Sequence, residues 1–479
     1  MEPWKGFSRR SIHAPFSSLI VLFFAWKALL LAVAFCSPGP GYDTSAQIIF
    51  GAPLDERAGL AQKLVRWDAI YYTSIATRGY THEQEWAFGW GFTRLLAFLA
   101  DYIPFTASKL LNVAYYGMIV ANLSHLISVL VLYCIAIELP LCRKSRRTQF
   151  AFIAAVCQIL SPAGLFLCAP YGEALFSLLS FLSLWMYTLS HTQGNEVPYT
   201  SQHDVYLVLS GICFGLSSTI RGNGIFSGII YAYDAVLWGA SLLERLGFPF
   251  LILILPSHIQ KHVRLFQWRR LPATIVAGAL VGIGFVVPQY IAYKEYCSED
   301  LETRQPWCSK LPPSIYSWVQ NHYWNVGFLK YWTVSNIPLF LLAAPMLYLL
   351  SRSALLAVTE KCSNHNLSTS QAKKASAKGR AETHQNAMLF RLALPQLLLV
   401  ALALTTFHVQ IITRLSSGYP LWCLIFARDI VNGPIAVQAP SKKKWWHLDA
   451  YQIANWTVRW MVMYALIQGA LFASFLPPA

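Results

Sequence analysis

Long apolar blocks with almost no charge recur along the whole chain, and no other feature limits its fold as sharply. Phe16 to Phe35 holds one charge, Lys27, and Met388 to Ile412 holds only Arg391 among acids and bases. About 20 apolar residues suffice for a helix to cross the hydrocarbon core. Over 479 residues, 56% are hydrophobic and only 12% charged, against roughly 25% charged in a soluble domain. The soluble class is therefore excluded. The chain reads as an all-α polytopic membrane protein, one integral domain over 1–479, with about 11 transmembrane helices.

The blocks predict helices at 15–35, 109–132, 151–169, 174–189, 206–218, 225–243, 273–291, 333–350, 388–411, 420–437 and 458–475. The first is longer than a signal-peptide core and lacks a clean small-residue cleavage site, so it reads as a retained helix. Leu246 to Pro256 is apolar but too short to cross, and reads as re-entrant or interfacial. Residues 36–104, rich in Gly, Pro, Trp and Tyr, contain no spanning stretch. Amphipathic pieces within them, such as Leu60 to Ile75, suit helices lying at the membrane surface. The stretch 351–386, rich in Lys, Ser, Ala and Asn, reads as a basic disordered loop.

A net charge of +15 does not point to nucleic acid, because the bases gather in short loops between apolar blocks. These are Lys5 to Arg10, Arg143 to Arg147, Lys261 to Arg270, Lys361 to Arg380, and Lys442 to Lys444. They fall at alternate crossings, as orientation by cytosolic Lys and Arg requires. The N-terminus and the 351–386 loop are then cytosolic. The same count puts the 36–104 segment, with Asp68, Glu85, Glu173, Arg221 and Arg414, on the opposite, luminal face. Of ten cysteines, Cys297 and Cys308 share a polar loop on that face, where an oxidising compartment permits a pair; the sequence leaves the pairing open. Sequons at Asn122, Asn366 and Asn455 fall inside a helix or on the cytosolic side, so no N-glycan is expected.

The sharpest local feature is Arg66-Trp67-Asp68-Ala69-Ile70-Tyr71-Tyr72, a carboxylate among aromatic rings just past the first helix. Asp68 either caps an interfacial helix or pairs locally with Arg66, or it faces a groove and accepts a proton from an acceptor hydroxyl. His82-Glu83-Gln84-Glu85-Trp86-Ala87-Phe88 follows and supplies Glu85 as a second carboxylate, an orienting group or alternative base. No second His stands at ligand spacing, so no metal site is expected. Glu173 after Pro170-Tyr171-Gly172 opens a helix, where the dipole favours a negative charge. Arg221-Gly222-Asn223-Gly224 and the stretch with Arg414, Ser416 and Ser417 offer guanidinium groups to a phosphate, or snorkel to a headgroup. No nucleotide-binding, zinc-protease or serine-hydrolase motif occurs in a suitable setting.

At these residues the chain resembles the GPI mannosyltransferase 2 family, membrane transferases of the GT-C class in the endoplasmic reticulum. The resemblance is carried by Arg66-Trp67-Asp68-Ala69-x-Tyr71, Glu85-x-Ala87-Phe88, Pro170-Tyr171-x-Glu173 and Arg221-x-Asn223-Gly224. Where the family continues after Ala-Phe with Phe-Pro, this chain has Gly89-Trp90. The resemblance implies a GT-C-like bundle in the endoplasmic-reticulum membrane that transfers the second mannose, α-1,6, to the GPI precursor. Dolichyl-phosphate mannose would be the donor and mannosyl-glucosaminyl-phosphatidylinositol the acceptor. No cofactor is implied, and a small accessory membrane subunit is left open. A β-linked donor and α product imply inversion, so one base suffices. Asp68 and Glu85 would be catalytic, with Arg66, Trp67, Tyr71, Trp86, Phe88, Glu173, Arg221, Asn223 and Arg414 binding substrate. The rivals are a flippase for a lipid-linked sugar, against which the motifs cluster beyond helix ends rather than at the midplane, and a non-catalytic subunit of a glycosylation complex.

Overall fold

The computed structural model describes residues 14–38, 42–50, 59–191, 200–247, 270–297, 305–359, 375–436 and 450–476, giving the backbone alone at 60, 244, 375–384 and 434–436. Every regular element among the described residues is helical. In chain order the main helices are α1 (Pro15–Cys36), α2 (Asp68–Arg78), α3 (Trp90–Tyr102), α4 (Lys109–Glu138), α5 (Arg147–Ile159), α6 (Glu173–His191) and α7 (Ser201–Ile220). They continue with α8 (Gly228–Arg245), α9 (Leu271–Tyr296), α10 (Ile315–Trp324), α11 (Ile337–Val358), α12 (Ala375–Thr405), α13 (Leu421–Ala436) and α14 (Ala450–Ala473). Eight helices among the described residues are long and apolar enough to cross a membrane: α1, α4, α6, α7, α9, the span Gly222–Leu243 that takes in most of α8, the span Val334–Val358 that contains α11, and Gln385–Thr405 within α12.

All eleven helices read from the sequence have helical counterparts. Three of those counterparts, α5, α13 and α14, are not among the eight. Residues 150–159 of α5 are all buried, as a helix apolar on every side must be. The block at 151–169 is not one helix. It ends at Ile159, two residues before Ser161-Pro162, because the residue before a proline leaves the α region; a 3-10 turn at Gly164–Leu167 follows. Lys27, the single charge of the first block, holds that turn from inside the bundle, donating to the carbonyl of Leu167 at 2.7 Å. The described ends of 351–386 are helical: α11 runs to Val358 and α12 starts at Ala375. Of the apolar stretch Leu246 to Pro256 all but the first two residues, together with Asn366 and most of the predicted basic loops, lie outside the described residues.

Close backbone approach holds the centre of the bundle. A Cβ on Gly211 of α7 would fall 2.5 Å from the Cα of Ala277, and one on Gly284 of α9 would fall 2.0 Å from the carbonyl oxygen of Gly215. Small residues at such a crossing let van der Waals contact replace the hydrophobic drive that lipid cannot supply. A buried network staples α6, α8 and α12: Arg391 donates to Asp234 at 2.8 Å, and the Tyr187 hydroxyl donates to the same carboxylate. Short segments, among them Gly222–Ser227, Ile315–Trp324 and Val409–Ile411, gather around one cavity at one end of the bundle. That end carries the site.

Candidate active site

Asp68 is the first residue of α2 and follows Trp67, whose φ of 55° lies in the left-handed region. A bulky residue there is strained by about 1–3 kcal/mol, and the surroundings hold it. The Trp67 ring lies 5.2 Å from that of Phe475, and the Arg66 guanidinium sits 4.6 Å above the same Phe475 ring. The Tyr171 hydroxyl donates to the carbonyl of Arg66 at 2.9 Å. Arg66 and Trp67 therefore anchor the turn against the C-terminal end of the chain. Asp68 points the other way and remains 39% exposed.

Its partner is not Arg66 but Arg414, whose Nη1 donates to Oδ2 at 2.8 Å. Arg414 lies in a run of short turns, Val409–Ile411, Ile412–Leu415 and Ser416–Gly418, fixed by contacts to buried helices: the Gln158 amide donates to the Ser417 carbonyl at 3.1 Å, and the Trp422 indole to that of Ser416 at 3.1 Å. Its guanidinium also lies over the Phe166 ring at 4.6 Å. Behind it, Glu173 at the start of α6 is 1% exposed. The Glu173 carboxylate is met by charge rather than by an aligned hydrogen bond, with Arg221 Nη1 at 2.6 Å and Arg414 Nη1 at 3.8 Å. Asp68, Arg414, Glu173 and Arg221 thus form one alternating chain of charge. A buried carboxylate stripped of its partners costs about 3–5 kcal/mol, so Glu173 fixes both guanidiniums. Burial pulls the Arg221 and Arg414 pKa down, but Glu173 for Arg221, and Asp68 and Glu173 for Arg414, outweigh it and leave both raised.

A cavity of about 170 Å³ opens above this chain, lined by Asp68, Tyr72, Phe88, Arg221, Asn223 and Arg414 and closed by Tyr316, Gln320 and Trp324 of α10 and by His408. That volume seats on the order of ten waters, suited to a polar head and not to a whole lipid. Asn223 is held by the Tyr419 hydroxyl, 3.1 Å from its amide nitrogen. Tyr71 stacks on Phe88 at 4.4 Å and backs the cavity wall.

Glu85 is the clear departure from expectation. It is 2% exposed and outside the cavity, with Arg78 Nη2 at 2.5 Å and the backbone N–H groups of Thr81 and His82 at 2.9 and 3.2 Å. Its carboxylate ties Arg78 to the start of the 3-10 turn Glu83–Ala87, and it does not line the cavity in which an acceptor would sit. Trp86 is buried beside it, stacked on Tyr80 at 4.2 Å. The Gly89-Trp90 departure also has a physical cause: a Cβ on Gly89 would fall 1.7 Å from the carbonyl oxygen of Ile220. The end of α7, which presents Arg221, is pressed against this glycine.

Sequence reasoning missed α10 and His408. No motif marks them, and α10 belongs to a polar loop joined by the Cys297–Cys308 disulfide, whose Cα atoms are 5.6 Å apart. The one signal present was its aromatic content, Tyr316, Trp318, Tyr323 and Trp324.

A family profile described as "Mannosyltransferase (PIG-V)" matches residues 50–479. "GPI mannosyltransferase 2" of Aspergillus oryzae is 37% identical over 479 residues, covering 97% of this chain and 96% of that protein. The protein of the same name in Aspergillus fumigatus is 38% identical, covering 97% and 94%. Among solved structures, the archaeal oligosaccharyltransferase AglB of Archaeoglobus fulgidus aligns with a TM-score of 0.46 and 11% identity over 96% of this chain; the chain spans 56% of that protein's length.

Proposed function

The chain belongs to the PIG-V mannosyltransferase family and transfers mannose in GPI-anchor biosynthesis; from that premise we propose the substrates and the roles of its residues. The donor is dolichyl-phosphate mannose, and the acceptor is the GPI precursor carrying one mannose, extended in α-1,6 linkage. The site faces the lumen of the endoplasmic reticulum. The observation that carries this reading is the Asp68–Arg414–Glu173–Arg221 chain beneath a single cavity. It sets a half-exposed carboxylate beside two permanent cations, the pair of functions that an inverting transfer from a sugar phosphate needs.

In this mechanism the acceptor 6-oxygen bonds to C1 of the donor mannose from the face opposite the phosphate. The C1–O bond breaks with its electron pair going to the phosphate, and Asp68 takes the hydroxyl proton. The leaving group departs as an anion and needs no acid. Arg414 and Arg221 stabilise the charge that develops on it, in a site preorganised by Glu173. As the phosphate gains charge, Arg414 shifts its attraction from Asp68 toward the phosphate, which frees the carboxylate to accept the proton. Arg66, Trp67, Tyr71 and Trp86 shape the site without touching substrate, and Glu85 builds the turn that carries Phe88. The Cys297–Cys308 bond supports a luminal placement, since disulfides persist in oxidising compartments.

Purified full-length protein, dolichyl-phosphate mannose and a one-mannose GPI precursor give the direct test. Formation of a two-mannose lipid, with the one-mannose form accumulating in cells depleted of the protein, is the expected result. A depleted cell that accumulates a two-mannose or a mannose-free intermediate instead moves the reaction to another step.

A further inference from the structure

We infer that the inward face of α10 is the sugar-binding wall for the acceptor, and that Glu83 is the positioning residue that holds this wall over the site. The inference rests on the transfer reading above and names the subsite that reading leaves blank. Tyr316, Gln320 and Trp324 are spaced four apart, so their side chains share one stripe of the helix. All three line the same cavity as Asp68, Arg221 and Arg414. From the first to the third the helix rises about 12 Å, longer than one pyranose ring.

The two sides of the cavity differ in kind. One side is charged and its groups are paired with each other. The α10 side is neutral, and its polar heads are unused: neither the Tyr316 hydroxyl nor the Gln320 amide makes a hydrogen bond among the described residues. An aromatic face beside free hydroxyl and amide groups matches a hexose, which presents a C–H face for stacking and hydroxyls for hydrogen bonds. The ends of the stripe are also distinct. Tyr316 adjoins the arginine side, where a Cβ on Gly222 would come within 2.9 Å of its ring. Trp324 lies at the far end, 5.9 Å from Phe88, with His408 Nε2 donating to its carbonyl at 2.8 Å. The donor phosphate belongs with the arginines, so Gln320 and Trp324 take the acceptor sugar.

The outer side of α10 explains Glu83, which the reaction itself does not use. Its carboxylate accepts from the Trp307 indole at 2.6 Å, the Trp318 indole at 3.0 Å and the Tyr323 hydroxyl at 3.2 Å. Three donors from one loop converge on a residue of the turn that also bears Phe88. The wall and the rim of the site are therefore tied together through one side chain.

The test uses purified full-length protein with separate titrations of donor and acceptor. Trp324→Ala and Gln320→Leu are expected to raise the acceptor KM about tenfold, leaving the donor KM and kcat within about threefold, with Trp324→Phe recovering most of the loss. Glu83→Ala is expected to raise the acceptor KM and lower kcat, and Glu83→Gln to recover part of both losses, because its one amide oxygen still accepts from the Trp318 indole and the Tyr323 hydroxyl of α10 while the Trp307 indole loses its acceptor. Binding of a soluble mannosyl-glucosamine disaccharide, followed by tryptophan fluorescence, is read apart from turnover. Saturable binding that Trp324→Ala abolishes supports the wall even if wild type transfers no mannose, an outcome that overturns the transfer reading alone. An active wild type whose Trp324→Ala and Gln320→Leu forms keep their acceptor KM and disaccharide binding, or raise the donor KM instead, overturns the wall. Gln320→Leu keeps the question answerable if Trp324→Ala does not fold.

Discussion

Asp68 and Arg414 stand 346 positions apart in the chain and 2.8 Å apart in space. The sequence marked both as polar groups beyond helix ends; it carried nothing to say that they touch, because a pair so distant is set by the packing of every helix between. Asp68→Asn keeps the shape and a hydrogen bond to Arg414 while removing the proton acceptor. Transfer in microsomes should fall about 10²–10⁴-fold with the melting temperature little changed, since the asparagine oxygen still accepts from Arg414 and Glu173 still faces that guanidinium. Near-wild-type transfer would remove Asp68 from the base role. Gly89 makes a different demand. Its φ is ordinary, −53°, so the requirement is for space and not for backbone freedom: a Cβ would meet the Ile220 carbonyl, which is backbone and cannot rotate away. Gly89→Ala must displace the end of α7 and Arg221 with it. Overpacking of this kind costs about 1–3 kcal/mol, and the expected result is a lowered melting temperature together with a raised donor KM. Unchanged donor kinetics would show that Arg221 is held independently of this contact.

At the scale of elements, the long spans were legible and the short ones were not. A block of about 20 apolar residues has one physical outcome in lipid, so α1, α4 and α9 follow from composition. The 3-10 turns at Gly164–Leu167, Val409–Ile411 and Glu83–Ala87 depend on contacts from elsewhere in the chain. Glu85 shows why this matters for function. The sequence reads Glu85 as an orienting group or alternative base, and only its surroundings show that it closes a turn. Burial disfavours its charge, but Arg78 and the two N–H groups of Thr81 and His82 outweigh burial, and its pKa is lowered. A carboxyl whose pKa is lower in the folded state adds stability above its unfolded value, about 4.3. That contribution is lost as the pH falls through the folded value. Glu85→Gln should therefore lower the melting temperature at pH 7, and the gap from wild type should close below about pH 4. A gap that persists in acid would mean that the carboxylate acts through shape and not through charge.

The whole molecule separates its charge by end. Asp68, Glu173, Arg221 and Arg414 meet at one end of the bundle, and each lies at the start of a helix or in a turn between helices. At the other end, Arg143 and Lys144 stand exposed in the turn between α4 and α5. Counting crossings had put these two groups on opposite faces, from the positions of bases alone. The bundle gives that count a geometric reason, because α4 carries the chain from the site end to the Lys144 turn in one 30-residue helix, about 45 Å long. A helix of that length exceeds the roughly 30 Å hydrocarbon core, long enough to carry the site and Lys144 to the different aqueous compartments that the proposed topology requires. What the count cannot supply is which compartment, and the proposed luminal site rests there on the preference for cytosolic Lys and Arg. Tyr42 lies at the site end and is 82% exposed, with its backbone N–H bonded to the Ser474 carbonyl at 3.0 Å. In sealed microsomes with the cytosolic face outward, and with Cys36 replaced by Ser, a membrane-impermeant maleimide should modify Lys144→Cys at once. It should modify Tyr42→Cys only after permeabilisation. The reverse order would put the Asp68 cavity in the cytosol, away from a luminal donor, and a reaction using dolichyl-phosphate mannose there would have to be abandoned even if the residues kept their chemistry.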